Sequence, residues 1–284
     1  MSVSVTPERP IKKWRVILFG VVAVLLALVF LVVFFGAPLL LSPWIVLDSS
    51  SPTYHAAIHR WHDAVNAAFT AILIGGCLLG LVWQGQKRPL LAQFFLLSFL
   101  LFSLVQIVFR PGGPSVADFV VPVVILGLFA LTYPAPRALL RLTPEGRWSR
   151  ALLVLSLLSI LLLAPDIWHN LGLQLTDKTG EHAQNWHWAI AACTDVALLV
   201  ASFLASTKRP GWLVLGILVG STLLYLAVAA LLLPTQAGSW GIIGGLLSGV
   251  GGLSYLGVLS YEMRTTPALS SQSRVSQPAR ASER

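Results

Sequence analysis

The sequence predicts an all-α, polytopic integral membrane protein of eight transmembrane helices in two parallel four-helix repeats. Three observations lead there. Hydrophobic residues make up 56% of the 284 positions and charged ones only 11%, with mean hydropathy +0.80. Soluble domains carry about 25% charge, so lipid is the expected solvent. The apolar stretches are 16–23 residues long without period-two alternation, which suits helices crossing a core about 30 Å thick and not barrel strands. Finally, basic residues gather in alternate connections, which fixes a sense across the membrane.

In chain order, residues 1–14 form a cytoplasmic N-terminal segment and the first half covers 15–134. A cytoplasmic linker, 135–149, leads to the second half, 150–261, and residues 262–284 form a disordered cytoplasmic tail. The spans read at 15–36, 61–84, 89–109, 118–134, 150–165, 186–206, 211–233 and 239–261. The first apolar run, Val16–Phe35, exceeds a signal peptide's h-region of about 7–15 residues and reads as a retained span. Residues 262–284, rich in Ser, Arg and Pro, have no apolar period.

The basic residues set the orientation. Lys12, Lys13 and Arg15 precede span one; Lys87-Arg88, Arg137 to Arg150 and Lys208-Arg209 occupy alternate loops; Arg264 follows span eight. The opposite loops hold only Arg60, Arg110 and Lys178. Both termini are therefore expected in the cytoplasm, in the cell membrane. Trp14, Trp83, Trp148 and Trp212 fall at inner ends, and Trp44, Trp61, Trp168, Trp186, Trp188 and Trp240 at outer ones, as interfacial belts require. The net charge of +8 belongs to these loops. No basic patch interleaved with aromatics is present, so no nucleic-acid partner is expected. The bilayer itself is the expected partner.

The halves echo one another. Trp61-His62 opens span two and Trp186-His187 opens span six, 125 positions later. Span eight carries Gly241, Gly245 and Gly249 at four-residue spacing, a face for close helix packing, within the chain or in a homo-oligomer or membrane-protein complex. Cys77 and Cys193 lie at about 24 Å and 10 Å depth, too far apart for a disulfide.

The chemistry concentrates at one end. All six histidines fall in outer positions, with Asp48, Asp63, Asp118, Asp166, Asp177 and Glu181. Ser51 and Pro52 read as the start of a helix in which His55, His59 and His62 share a face with Asn66 and Thr70 below them. Imidazoles three or four residues apart can share a metal, but His55 and His62 are about 10.5 Å apart along the axis, so one ion cannot hold all three. Further ligands must come from the second half, with His187 first and His182 or His169 next. The candidate metal ligands are thus His55, His59 and His62; for haem or another cofactor they are His59, His62 and His187. The competing reading is interfacial histidines bound to headgroups, carbonyls or water. Asp195, about 13 Å into span six, is a carboxyl inside the bilayer and a functional candidate in its own right. Arg110 and Asp118 are placed to pair across the PGGPSVA turn. No phosphate-binding glycine loop, Ser/His/Asp set or Cys-rich metal motif is present, so no catalytic residue is assigned.

This arrangement resembles the heme A synthase family, which has eight spans in two halves, cytoplasmic termini and histidines at outer helix ends. His59-Arg60 is similar to the family's His-Arg element, and His187 occupies the comparable place in span six. The resemblance covers Lys12–Tyr261 in topology and implies haem as a cofactor. The chain departs from it where the family has histidines at the outer starts of spans four and eight; here those regions read SVADFVV and GSWGIIG. Ala56 stands where the family has a glutamate, and the family's loop cysteine pair is absent.

The expected function is haem or transition-metal binding at the extracytoplasmic face, with redox-linked chemistry open to it. The alternatives are a transporter or permease with a midplane Asp195, and a non-catalytic scaffold or accessory subunit.

Overall fold

A computed structural model describes residues 12–34, 36–46, 57–110, 112–140, 148–177 and 179–265. The expected cap at Ser51-Pro52, His55, and most of both terminal segments lie outside the described residues. Within them the chain is helical, with no strand. Seven helices are long and apolar enough to cross a membrane: α1 (Lys13–Val33), α2 (Ala57–Val82), α3 (Pro89–Phe109), α5 (Arg150–Thr176), α6 (His187–Ser206), α7 (Trp212–Leu232) and α8 (Gly241–Thr265). Between α3 and α5 lies α4 (Val116–Thr132), apolar but of only 17 residues.

Local chemistry explains the helix ends. Pro89 occupies the first turn of α3, where its missing N–H costs nothing. Ser115 and Asp118 form a capping box at the start of α4, and Asp118 pairs with Arg110 as the sequence predicts. The Ser149 hydroxyl accepts from the Leu152 N–H to cap α5.

Two of the boundaries that differ from expectation have a local explanation. Span five was expected to stop at Pro165, but α5 runs through it to Thr176. A proline inside a membrane helix loses one hydrogen bond, which neighbouring helices can offset. Here α5 packs against α6, its most extensive neighbour. The second boundary is the tail, expected from residue 262, whereas α8 continues to Thr265. Its last turn is held because Glu262 accepts from the Ser149 hydroxyl and pairs with Lys208 at 2.6 Å.

The helices are sorted by burial. α2, α3, α6 and α7 are the most buried and touch one another, α3 against α6 and α7 against α2. α1 packs on α2 and α4 on one side; α5 packs on α6 and α8 on the other. Buried phenylalanines, among them Phe19, Phe30, Phe95 and Phe129, fill the first side. Small residues close the second: a Cβ on Gly252 of α8 would lie 2.9 Å from the Gly220 carbonyl oxygen of α7. The glycine face of α8 is thus used within the chain, while Ile242, Ile243, Leu246 and Leu253 point outward. Cys77 and Cys193 are buried free thiols.

Candidate metal centre

The first turn of α2 is pinned from two sides. Arg60 donates from Nε to the Ser42 carbonyl at 2.8 Å and from its terminal nitrogen to that of Pro43. Gln236, from the α7–α8 loop, accepts from the Trp61 N–H at 2.9 Å and donates to the Ala57 carbonyl at 2.7 Å. Gln236 thus satisfies an N–H in the first turns of the helix, and the Arg60 guanidinium satisfies two carbonyls of the segment before it. They also hold His59 (0% exposed) and His62 (3% exposed) on one inward face, one turn apart.

The second half supplies the facing side. After α5, Asp177 accepts from the Gly180 N–H at 2.7 Å, and the chain doubles back through a short helix, Glu181–Gln184. Trp186 then turns the chain in the left-handed region, at φ 59°, into the first residue of α6, His187. Gln174 of α5 fixes this loop by donating to the Ala183 carbonyl at 2.9 Å and accepting from the Ala189 N–H at 3.2 Å. His182 and His187 are thereby turned toward each other, with their Nδ1 atoms 3.3 Å apart.

Four imidazoles converge from three segments. His59 lies 4.8 Å from His182 and 4.6 Å from His187 between ring centroids. His62 lies 4.6 Å from His182 and stacks on His187 at 4.8 Å. One nitrogen from each of His59, His182 and His187 can be chosen so that all lie within 4.8 Å of one another. Two tetrahedral ligands held at 2.0–2.1 Å from zinc sit about 3.4 Å apart. The His182–His187 separation already has that value, and the longest of the three separations, at up to 4.8 Å, needs to close by about 1.4 Å.

The surroundings suit neutral imidazole, the form that binds metal. Burial pushes the His182 pKa below the ordinary 6.5, outweighing the charges of Glu181 and Asp177, which raise it. Glu181 Oε1 lies 3.5 Å from His59 Nε2, a carboxylate–histidine contact of the kind that orients metal ligands. Neither ring nitrogen of His62 has a hydrogen-bond partner among the described residues. Two unmet polar atoms in a buried ring are costly. The Trp188 ring, edge-on at 4.9 Å, and the close backbone of Gly238, at φ 76°, wall that ring in.

The remaining candidates divide. His59, His62 and His187 come together, and His182 joins them. His169 stays apart, exposed on α5 beside a cavity. Thr70 donates its hydroxyl to the Asn66 carbonyl at 2.7 Å, so it serves the helix. It also faces Gly36, where a Cβ would lie 2.8 Å from its oxygen. Asp195 is buried at 3% exposure, with Asp166 of α5 as its acidic neighbour. Asp166 was expected in an outer loop; the extension of α5 brings it inside the helix.

No protein-family model matches this chain, and no curated protein or solved structure matches it either.

Proposed function

We propose that the protein is a multi-pass membrane protein that binds one transition-metal ion at the end of its helical bundle. His59, His182 and His187 would be ligands and His62 a fourth. The observation that supports this most is the convergence of four imidazoles, with three ligand nitrogens within 4.8 Å of one another. A nitrogen-only ligand set suits zinc, copper or nickel, and an ion held there would act as a Lewis acid or, for copper, exchange electrons. The fold supplies orientation: Gln236 and Gln174 hold the two sides of the site, and Glu181 stands behind His59.

Haem, which the resemblance to heme A synthases implies, fits these four rings less well. A macrocycle must slide between two axial imidazoles, and rings in mutual contact leave no slot. The orientation read from the basic loops puts the site on the extracytoplasmic face.

The test is metal analysis and absorbance of the detergent-purified full chain, followed by Co²⁺ titration. Stoichiometric metal and a tetrahedral cobalt spectrum, both lost on His59→Ala and His187→Ala, are expected. A Soret band, or a folded protein that takes up no ion, would overturn the reading.

A further inference from the structure

A cavity of about 420 Å³ lies between α5, α7 and α8, within the size range of sites for small organic ligands. Leu162, Leu163, Leu223 and Leu247 form apolar walls, and the polar end carries Asp166 and Trp240. α5 and α8 touch far less than either touches its inner neighbour, so the cavity wall between them is thin. Gly251 thins the α8 wall: a Cβ there would meet nothing within 4 Å.

Three of the lining's donors are already committed within the protein. Ser159 spends its hydroxyl proton on the Leu155 carbonyl and Ser248 on that of Leu223. The Trp240 indole N–H goes to Asp166 at 3.2 Å, as does the Asn170 amide at 2.9 Å. Behind Asp166 stands Asp195, whose Oδ2 is buried without a hydrogen-bond partner among the described residues. No lysine or arginine lines the cavity. Negative charge beside apolar walls needs a counter-charge, and apart from His169 the lining holds no basic side chain. A carboxylate beside an aromatic ring is what an organic cation requires.

From this geometry we infer that the cavity binds a lipophilic amine in its protonated form. The ammonium sits against Asp166 and the Trp240 ring, and the hydrocarbon lies along the leucines. Asp195 shares the charge from behind. The site is separate from the histidine cluster and does not depend on a metal there.

The test is equilibrium binding of radiolabelled N,N-dimethyldodecylamine to the full chain in lipid nanodiscs, corrected for empty discs. Dodecanol serves as the uncharged control. Saturable amine binding is expected, about tenfold or more tighter than dodecanol, and weakened at least about tenfold by Asp166→Asn. Gly251→Leu fills open space in a helix that favours leucine over glycine, so the protein stays folded and binding is expected to disappear. Equal retention of dodecanol and amine would overturn the proposal. So would amine binding that survives either Asp166→Asn or Gly251→Leu.

Discussion

Among the described residues, the buried polar groups at the two ends of the inner helices are built on opposite principles. At the end away from the histidines, donors meet acceptors. Arg209 donates to Gln93 Oε1 at 2.7 Å, and Gln93 donates to the Leu139 carbonyl at 2.9 Å. Lys208 pairs with Glu262, and Tyr255 donates to the Ser202 carbonyl at 3.1 Å. These bonds staple α3, α6 and α8 together. At the other end four rings of one kind face each other, and both buried nitrogens of His62 are without a hydrogen-bond partner among the described residues. A satisfied cluster is architecture; a cluster of like groups with unmet nitrogens is a place prepared for something else.

Substitutions at the two ends should separate affinity from stability. The largest effect is expected from His59→Ala. Loss of a ligand should lower metal affinity by more than about 100-fold, above what is typical for residues behind the ligands. Calorimetric titration measures this, and the thermal midpoint of the metal-free protein should hardly move. Arg209→Leu should do the reverse. It strands the Gln93 acceptor and should cost about 1–3 kcal/mol of stability, read as a lower unfolding midpoint, while metal affinity stays within about twofold. If Arg209→Leu abolished metal binding in folded protein, the two ends would not be independent. Glu181→Gln keeps shape and removes charge behind His59, so affinity should fall about tenfold.

The smallest effect concerns pH. A histidine with a lowered pKa remains neutral further into the acid range. Binding should therefore persist as the pH falls through 6.5 and be lost below it. A titration of Co²⁺ absorbance from about pH 8 to about 5 locates the midpoint; a midpoint above 6.5 would contradict the burial of His182.

Much of the fold could be read from the chain because membrane helices report themselves by composition. The third span, expected at 89–109, is Pro89–Phe109 in the structure, since Pro89 and Arg110 bracket an unbroken apolar run. The Arg110–Asp118 pair followed from a short turn between opposite charges. Pairing His59 and His62 with His187 followed from the two Trp-His dipeptides. Other features depended on three-dimensional neighbours that periodicity does not encode. Pro165 reads as a stop, and only packing against α6 carries the helix past it. The sequence offers His182 only as a second choice beside His169, since its position depends on Gln174, a residue with no signal of its own. Asp166 and Asp195 meet only because α5 is longer than its apolar stretch. One clue to His182 was present: it precedes His187 by five residues in a loop that also holds Glu181, and a short turn can fold such a pair face to face.

The length of α5 has a mechanical consequence. Asp166 and Gln174 are eight residues apart on that helix, about 12 Å along its axis. The first touches the buried carboxyl of α6 and the second grips the loop that carries His182. α5 is thus a single mast with two lines attached, and it leans on the bundle along one flank. A tilt of this one helix pulls on both sites at once, without any change in the four helices at the centre.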